Sequence, residues 1–440
     1  MQITTPPSTF KDRLKIIGPG FVWAVAAIGS GELIISAKVG AEYGFLFIWA
    51  LWVGIWFKYW IQKGILDLTI LTGKPVVELW HNTKLGKLFS IYWLLFFILT
   101  ATGVAGLLGL TASIANNIIP FINTKLWAVL IVLVVIGIAY YQKYKRFEKI
   151  MLILGLILGI GTLATIIFAT PSPTDIFAWG IPTTTAAALV FLSLLGWGAG
   201  SGPDLMIPYS WWVAEKGYQN LPLQSPDTNN KSLYEYQDEE SVKKIRRWLN
   251  VAKYDNIAGY LAAGLVASIF MIAGAVILQP RGIIVDGLNV LKNMSVIFTG
   301  AYGSWTFLLF MIPAFAAIFS TTLGVFDGGR IALAHLARML SNKSMIPISH
   351  IRGNTWYRIT LILFSLIPLI LFLGVPRPVF LVIIAGAISA VSMPLLGGLV
   401  FWSLLKQIPV QYRPNKFYLI NLILGVGVYL FFMVQSLLKL

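Results

Sequence analysis

The chain has 440 residues, of which 58% are hydrophobic and 11% charged, with a formal net charge of +16 and no cysteine. Soluble domains carry about half apolar and a quarter charged residues, so this composition excludes a soluble protein. The lack of cysteine excludes disulfides, thiolate metal sites and cysteine nucleophiles.

Apolar stretches of about twenty residues, long enough to cross a hydrocarbon core of about 30 Å, recur along the whole chain. We therefore predict an all-α membrane protein with eleven transmembrane helices, forming one transporter domain (1–440) in a lipid bilayer. The predicted spans cover residues 16–39, 45–71, 88–115, 126–142, 150–170, 184–210, 256–278, 304–326, 357–374, 379–405 and 418–438.

Basic residues cluster after every second span. These clusters are Lys74, Lys84 and Lys87; Lys143, Lys145 and Arg146; Lys243, Lys244, Arg246 and Arg247; Arg330, Arg338, Lys343 and Arg352; Lys406, Arg413 and Lys416. This is the positive-inside pattern, which predicts a cytoplasmic N-terminus, an outside C-terminus and no nucleic-acid partner. We expect a multi-pass protein of a prokaryotic plasma membrane, with a cytoplasmic connector at 217–254. The histidines, His81, His335 and His350, are predicted in cytoplasmic loops, which excludes a histidine-built metal site within the membrane.

Spans one and six each carry Gly-Ser-Gly followed by a carboxylate. The segments are Gly29-Ser30-Gly31-Glu32 and Ala199-Gly200-Ser201-Gly202-Pro203-Asp204. Glycine and proline are poor helix formers, so we predict that residues 29–32 and 200–204 are non-helical and face each other near the bilayer midplane. Five spans separate the breaks, which predicts a five-plus-five inverted repeat (about 16–170 and 184–405) and an extra helix at about 418–438. The alternative is that these glycines only serve helix packing.

Paired breaks of this kind mark a transport site, and Glu32 and Asp204 add two buried acids to it. A charge at mid-membrane costs roughly 2.5–3.5 kcal/mol, so each acid needs a partner or a function. We predict Glu32 and Asp204 as metal ligands, in a substrate site formed by Gly29, Ser30, Gly31, Glu32, Ala199, Gly200, Ser201, Gly202 and Asp204. The alternative is a structural ion pair, for which the charge partners are Lys38 and Lys58; Lys58 would then bind Glu32, Asp204 or Asp67.

Several segments resemble the natural resistance-associated macrophage protein (Nramp) family of divalent-metal transporters. They are Gly18-Pro19-Gly20-Phe21, Gly40-Ala41-Glu42-Tyr43-Gly44, Thr72-Gly73, Arg146-Phe147-Glu148, Asp255, Ser320-Thr321-Thr322 and the stretch from Arg358 to Pro368. The resemblance covers nearly the whole chain. It implies a leucine-transporter-like fold, with helices one and six broken, that carries an inorganic cation by alternating access.

The metal-binding motifs of that family are altered here. Where the family has Asp-Pro-Gly-Asn, this chain has Gly29-Ser30-Gly31-Glu32, and Met-Pro-His is replaced by Gly202-Pro203-Asp204. The soft thioether ligand is therefore replaced by hard oxygen ligands, which suit Mg²⁺, Ca²⁺ or Mn²⁺. The site resembles the magnesium-transporting relatives of the family, and we expect Mg²⁺ or Mn²⁺ as substrate.

The titratable groups that carry protons in the family are also replaced. The acidic pair of span three corresponds to Gly103 and Gly106, the second histidine of span six to Tyr209, and the glutamine of span ten to Gly386. We therefore expect transport without proton coupling.

Two other readings stay open. One is a transporter of another solute on the same fold, such as an amino acid or organic anion, with a sodium site at Ser320, Thr321 and Thr322. The other is an enzyme, which the sequence disfavours because it carries no nucleotide-binding glycine loop and no cysteine. No cofactor is predicted, and the sequence does not indicate an oligomeric state.

Overall fold

The computed structural model describes Pro7 and residues 18–141, 144–168, 179–216, 238–343, 345–346 and 348–438. The polar N-terminal stretch, residues 169–178 and most of the predicted connector (217–237) lie outside the described residues. Within the described ranges the regular structure is entirely helical. The helices are α1 (Pro19–Ala27), α2 (Ser36–Tyr43), α3 (Ile48–Thr72), α4 (Val76–His81), α5 (Gly86–Ile118), α6 (Thr124–Tyr141), α7 (Tyr144–Phe168), α8 (Thr185–Ser193), α9 (Pro203–Lys216), α10 (Glu239–Ala273), α11 (Val290–Met294), α12 (Val296–Tyr302), α13 (Phe307–Leu340), α14 (Thr355–Gly374), α15 (Pro378–Lys406) and α16 (Lys416–Leu437).

Seven helical spans among the described residues are long and apolar enough to cross a bilayer, with α8 and α9 counted together as Thr185–Lys216. α1 and α2 together form an eighth span, which is bent by 41°. α3 has 25 residues but carries Lys58, Lys63 and Asp67, which makes it more polar than an ordinary span. The structure thus confirms an all-helical, multi-pass architecture, while the count of eleven spans stays a prediction.

Two helices extend well beyond their predicted spans. α10 begins at Glu239 rather than 256, because Asp238 caps it by accepting a hydrogen bond from the Ser241 N–H at 2.8 Å. α13 continues to Leu340 rather than ending at 326. His335 therefore lies on a helix and is fully buried, so its predicted place in a loop is wrong. Its ring nitrogens bond Glu78 Oε1 at 2.7 Å and the Tyr357 hydroxyl at 2.9 Å.

The helices pack so that both breaks lie in the interior. α5 packs against α13 and α15, and α1 lies against α10, α13 and α7. α3 contacts α10 and α16 on the other side of the bundle. Because helix backbones satisfy their own hydrogen bonds, irregular backbone is tolerated in a membrane only where protein surrounds it, and this packing surrounds both breaks.

Candidate functional site

The first break follows α1. Ile28 and Gly29 leave the helix, and the chain resumes as a π-helical turn from Ser30 to Ile35 that continues into α2. The predicted non-helical segment 29–32 is therefore placed too late, because Gly31 and Glu32 already belong to the π-helical turn. Residue 29 must be glycine, because the Thr321 side chain of α13 occupies the place where its Cβ would stand. The Ser30 side chain lies outside the described residues.

The second break lies between a π-helical turn, Leu194–Gly198, and α9. Ala199, Gly200, Ser201 and Gly202 are irregular, and Gly200 has a φ of +76°, a left-handed conformation that favours glycine. The predicted interruption at 200–204 is wrong at its end, because Pro203 begins α9 and places Asp204 in its first turn. Proline is favoured at that position because its missing N–H would be unpaired anyway.

The two breaks lie against each other, as expected from their spacing. The Trp197 carbonyl occupies the place of a Cβ on Gly31, so only glycine allows this approach. The Gly200 N–H donates to Glu32 Oε1 at 3.2 Å. From α1, the Trp23 indole donates to Ser201 Oγ at 2.7 Å. Backbone and side-chain hydrogen bonds therefore connect the two broken spans directly.

Both predicted acids are buried, but they have different surroundings. Asp204 Oδ1 accepts hydrogen bonds from the Trp197 indole and from Ser389 Oγ of α15, each at 2.9 Å. Glu32 is fully buried, and its Oε2 has no hydrogen-bond partner among the described residues. A buried carboxylate oxygen without a donor is costly, so Glu32 is suited to bind a cation.

Neither predicted lysine pairs with a site acid. Lys38 forms an ion pair with Glu42, one turn further along α2. Lys58 is fully buried and donates to two backbone carbonyls, Gly196 O at 2.8 Å and Gly200 O at 2.5 Å. Asp67 pairs with Lys63 instead, at 2.5 Å. The proposed structural ion pair between Lys58 and Glu32, Asp204 or Asp67 is therefore wrong.

A small cavity of about 10 Å³ lies between the breaks. It is lined by Ala27, Gly31, Trp197, Ser201, Asp204, Leu205, Thr321 and Val325, all of them buried. That is about the space needed for one water-sized sphere. Glu32 is not among the lining residues, so Asp204 is the acid closest to the enclosed space. The conformation is thus closed around a site for one small particle.

The three hydroxyls predicted as a second ion site are all buried on α13. Thr321 and Thr322 donate to carbonyls four residues back, Ala317 O at 3.2 Å and Ile318 O at 2.7 Å. Ser320 donates to Val25 O of α1 at 3.0 Å. Ser320 thus ties α13 to the first broken span, and Thr321 lines the cavity.

The glycines that replace the family's proton-carrying acids are packed tightly. A Cβ at Gly103 would meet the Trp197 ring and the Ala385 side chain, and one at Gly106 would meet the Pro378 carbonyl. Gly386 lies against Ser193 in the same way, and Tyr209 is fully buried. An acid at 103 or 106 would therefore require α5 and α15 to separate.

Several contacts in the site are not evident from the sequence. Trp23 and Ser389 lie in ordinary apolar stretches of the sequence. Only the structure shows that Trp23 donates a hydrogen bond to Ser201 and that Ser389 donates one to Asp204. Trp197, just before the second break, donates directly to Asp204. No group of three or more histidine, cysteine or acidic side chains is placed to hold a metal in the described part of the chain. A cation here would depend on one or two carboxylates together with hydroxyl and carbonyl oxygens.

Comparison with known proteins supports one family. Residues 20–439 match the profile of the Natural resistance-associated macrophage protein-like family. An uncharacterised protein of Pasteurella multocida is 23% identical over 352 residues, covering 77% of this chain and 75% of that protein. The divalent metal cation transporter MntH of Mycobacterium leprae is 22% identical over 340 residues, covering 75% of this chain and 73% of that protein.

Among solved structures, a mutant of the Eremococcus coleocola manganese transporter aligns with a TM-score of 0.73 at 15% identity, covering 99% of this chain and 88% of that chain. The two chains therefore share a fold, the leucine-transporter-like five-plus-five repeat expected from the two broken spans. With the profile match over nearly its whole length, this multi-pass integral membrane protein belongs to the Nramp family.

Proposed function

We propose that the chain is a secondary transporter that moves a divalent metal cation, Mn²⁺ or Mg²⁺, by alternating access around the two broken spans. The observation that carries this proposal is the closed cavity between the breaks, lined by the buried carboxylate of Asp204. A mid-membrane carboxylate is costly unless it binds something, and a cation is its natural ligand. The protein is a carrier rather than an enzyme.

The chemistry of the lining supports a hard cation. Asp204, Ser201 and Thr321 offer oxygen atoms, and the break frees backbone carbonyls that can add to them. Glu32, which follows the cavity-lining Gly31 in the chain, adds a second carboxylate, whose Oε2 has no hydrogen-bond donor among the described residues. The relative named as a divalent metal cation transporter supports the same class of substrate.

The size of the cavity bears on selectivity. About 10 Å³ accommodates one particle, so a cation enclosed there has shed most of its water. Mg²⁺ dehydrates reluctantly and usually keeps several waters. A site that removes most of the water of a cation is therefore expected to bind Mn²⁺ more readily than Mg²⁺.

The end of the bundle that we assign to the cytoplasm is closed by buried ion pairs. Arg352 binds Glu215 of α9 and Asp327 of α13, each through two contacts of 2.8 Å. Asp255 of α10 accepts hydrogen bonds from the N–H groups of Gly18, Gly20 and Phe21 at the start of α1. The ends of the half-helices α1 and α9 that point away from the breaks are thus held against the rest of the bundle. Opening toward the cytoplasm requires these contacts to break.

Transport without proton coupling is part of the proposal. The positions of the family's proton carriers hold glycine or tyrosine, and Gly103 and Gly106 are packed too closely to admit an acid. The driving force is then the cation gradient with the membrane potential, which contributes about 2.3 kcal/mol per elementary charge per 100 mV. The N-terminus is assigned to the cytoplasm and the C-terminus to the outside of a prokaryotic plasma membrane.

Binding to the purified protein tests the site. Calorimetric titration of wild type with Mn²⁺ and with Mg²⁺ is expected to show saturable binding, lost in Asp204→Asn and weakened at least about tenfold in Glu32→Gln. Asp67→Asn is the matched control, because Asp67 is also buried on a transmembrane helix but pairs with Lys63. Equal binding by wild type and Asp204→Asn would refute the site, and saturable binding of an amino acid or carboxylate instead would favour the other class of substrate.

A further inference from the structure

Lys58 binds the broken backbone of span six rather than a carboxylate. Its ammonium donates to Gly196 O at 2.8 Å and Gly200 O at 2.5 Å, and the side chain is fully buried. Neither Glu32 nor Asp204 lies within ion-pair distance of it among the described residues.

The two carbonyls form the kind of place where a cation binds. Gly196 belongs to the last turn before the break, where the carbonyl end of a helix carries partial negative charge. Gly200 follows four residues later, and its backbone has left the helix. Discontinuous membrane helices commonly use such unwound carbonyls to hold a cation. Here a side chain from α3 supplies the cation.

One residue connects this bound ammonium to the first break. Gly200 accepts from Lys58 through its carbonyl and donates through its N–H to Glu32 Oε1 at 3.2 Å. Its left-handed φ of +76° gives both groups these directions. Removing the charge of Lys58 therefore affects Glu32 as well as the carbonyls.

We propose that Lys58 is a tethered cation that permanently fills a cation site at the end of the first half of span six, and so fixes the charge of the transport site. This inference rests on the proposed function. With both carboxylates ionised and Lys58 protonated, the three side chains carry one net negative charge instead of two, which weakens the hold on a divalent cation and favours its release. Lys58 thereby makes a second, dissociable cation unnecessary.

Shortening the side chain is expected to turn the tethered cation into a dissociable one. In Lys58→Ala, the carbonyls of Gly196 and Gly200 lose their donor and the space of the lysine side chain opens. We expect Na⁺ to replace the ammonium. The melting temperature of the variant should then be at least about 3 °C higher in buffer that contains Na⁺ than in buffer that contains N-methylglucamine instead. Wild type is expected to show no such shift. Transport of Mn²⁺ by Lys58→Ala, slow without Na⁺, is expected to recover at least about tenfold when Na⁺ is added.

Two further variants separate charge from packing. Lys58→Gln keeps N–H donors for the carbonyls but raises the net negative charge by one, so Mn²⁺ is expected to bind at least about tenfold more tightly and to turn over more slowly. Lys63→Ala is the matched control, because Lys63 lies on the same helix but forms an ion pair with Asp67. It is expected to lose stability without any rescue by Na⁺.

The outcomes separate this inference from the proposed function. Unchanged Mn²⁺ affinity and turnover in Lys58→Gln, or a folded Lys58→Ala whose melting temperature does not respond to Na⁺, would overturn the tethered-cation role. Should wild type neither bind nor transport Mn²⁺ or Mg²⁺, the proposed function fails. The Na⁺-dependent melting temperature of Lys58→Ala still decides whether the carbonyls form a cation site.

Discussion

The indole N–H of Trp197 donates to Asp204 Oδ1 at 2.9 Å across the break in span six. Trp197 belongs to the last turn before the break, and Asp204 to the first turn after it. The same indole lies 3.0 Å from Ser389 Oγ, which also donates to Asp204. The carboxylate that lines the cavity is therefore oriented by a side chain from across the break and by one from α15.

Trp197→Phe is expected to reduce cation transport by about tenfold or more, because a hydrogen bond to a charged group contributes about 1.5–3 kcal/mol. Phenylalanine is also shorter than tryptophan, so the contact between the far edge of the indole and Gly103 is lost as well. Initial rates of Mn²⁺ uptake in proteoliposomes measure the effect. Trp93→Phe is the control, since the Trp93 indole is equally buried but has no hydrogen-bond partner in the described structure. A similar loss in both variants would mean that the Asp204 contact has no special role.

Gly103→Ala is expected to destabilise the protein, because a Cβ there would meet the Trp197 ring and the Ala385 side chain. Overpacking of this kind costs about 1–3 kcal/mol. The melting temperature in detergent should fall, and transport should fall with it because Trp197 is displaced. Gly398→Ala provides the comparison, since a Cβ at that helical position meets nothing within 4 Å and should leave stability unchanged or slightly raised. A Gly103→Ala protein as stable as wild type would remove the packing explanation for the missing acid.

Arg352→Gln is expected to open the end of the bundle that we assign to the cytoplasm. Breaking a buried ion pair costs about 3–5 kcal/mol, and here that cost falls on the closed conformation. Asp327 keeps Arg330 as a partner at 2.8 Å, so the folded protein should persist. Because the chain has no cysteine, Val325→Cys at the cavity can report access to a thiol reagent without interfering sites. The rate of labelling from the cytoplasmic face should increase in the Arg352→Gln background. It should stay unchanged in the control background, Arg247→Gln, which alters an exposed residue. Equal labelling rates in the two backgrounds would show that the contacts of Arg352 do not close this end of the bundle.

Cation uptake is expected to proceed without internal acidification. Coupling requires groups that change protonation along a route from the site, and the family's positions for such groups hold Gly103, Gly106 and Tyr209. A pH-sensitive dye trapped in liposomes, followed during Mn²⁺ uptake with the membrane potential clamped, measures this. Substrate-dependent acidification that disappears in Glu32→Gln would show that an acid of the site carries a proton as well.

The sequence predicted the elements of this fold that depend on local composition. Apolar length predicted the multi-pass architecture, of which up to eight spans are found among the described residues. Two Gly-Ser-Gly segments identified the breaks, because glycine and proline weaken a helix wherever they occur. Helix ends were less accurate. Capped by Asp238, α10 begins seventeen residues before its predicted start, and Pro203 begins α9 inside the predicted interruption. Polar helical extensions beyond the membrane carry no apolar signal.

The partners of buried charges could not be predicted, because they depend on which helices meet in space. The sequence left open an ion pair between Lys58 and a carboxylate, yet Lys58 binds the carbonyls of Gly196 and Gly200, which have no signature in the sequence. Lys63, five residues further on, pairs with Asp67 because they are one helical turn apart. Ser389 lies 185 residues from Asp204 in the chain, and only the packing of α15 brings them together.

Uptake into liposomes tests whether the protein carries a divalent metal cation through a site that depends on Asp204. Purified wild type and Asp204→Asn, reconstituted at equal density, are given Mn²⁺, Mg²⁺, Ca²⁺ and a panel of amino acids and carboxylates. We expect wild type to take up Mn²⁺ saturably and to transport none of the organic solutes. Mg²⁺ should inhibit this uptake only at concentrations above that of Mn²⁺. Asp204→Asn should take up no Mn²⁺. Wild type that moves an organic solute but no divalent cation, or Asp204→Asn that moves Mn²⁺ at the wild-type rate, would contradict the account.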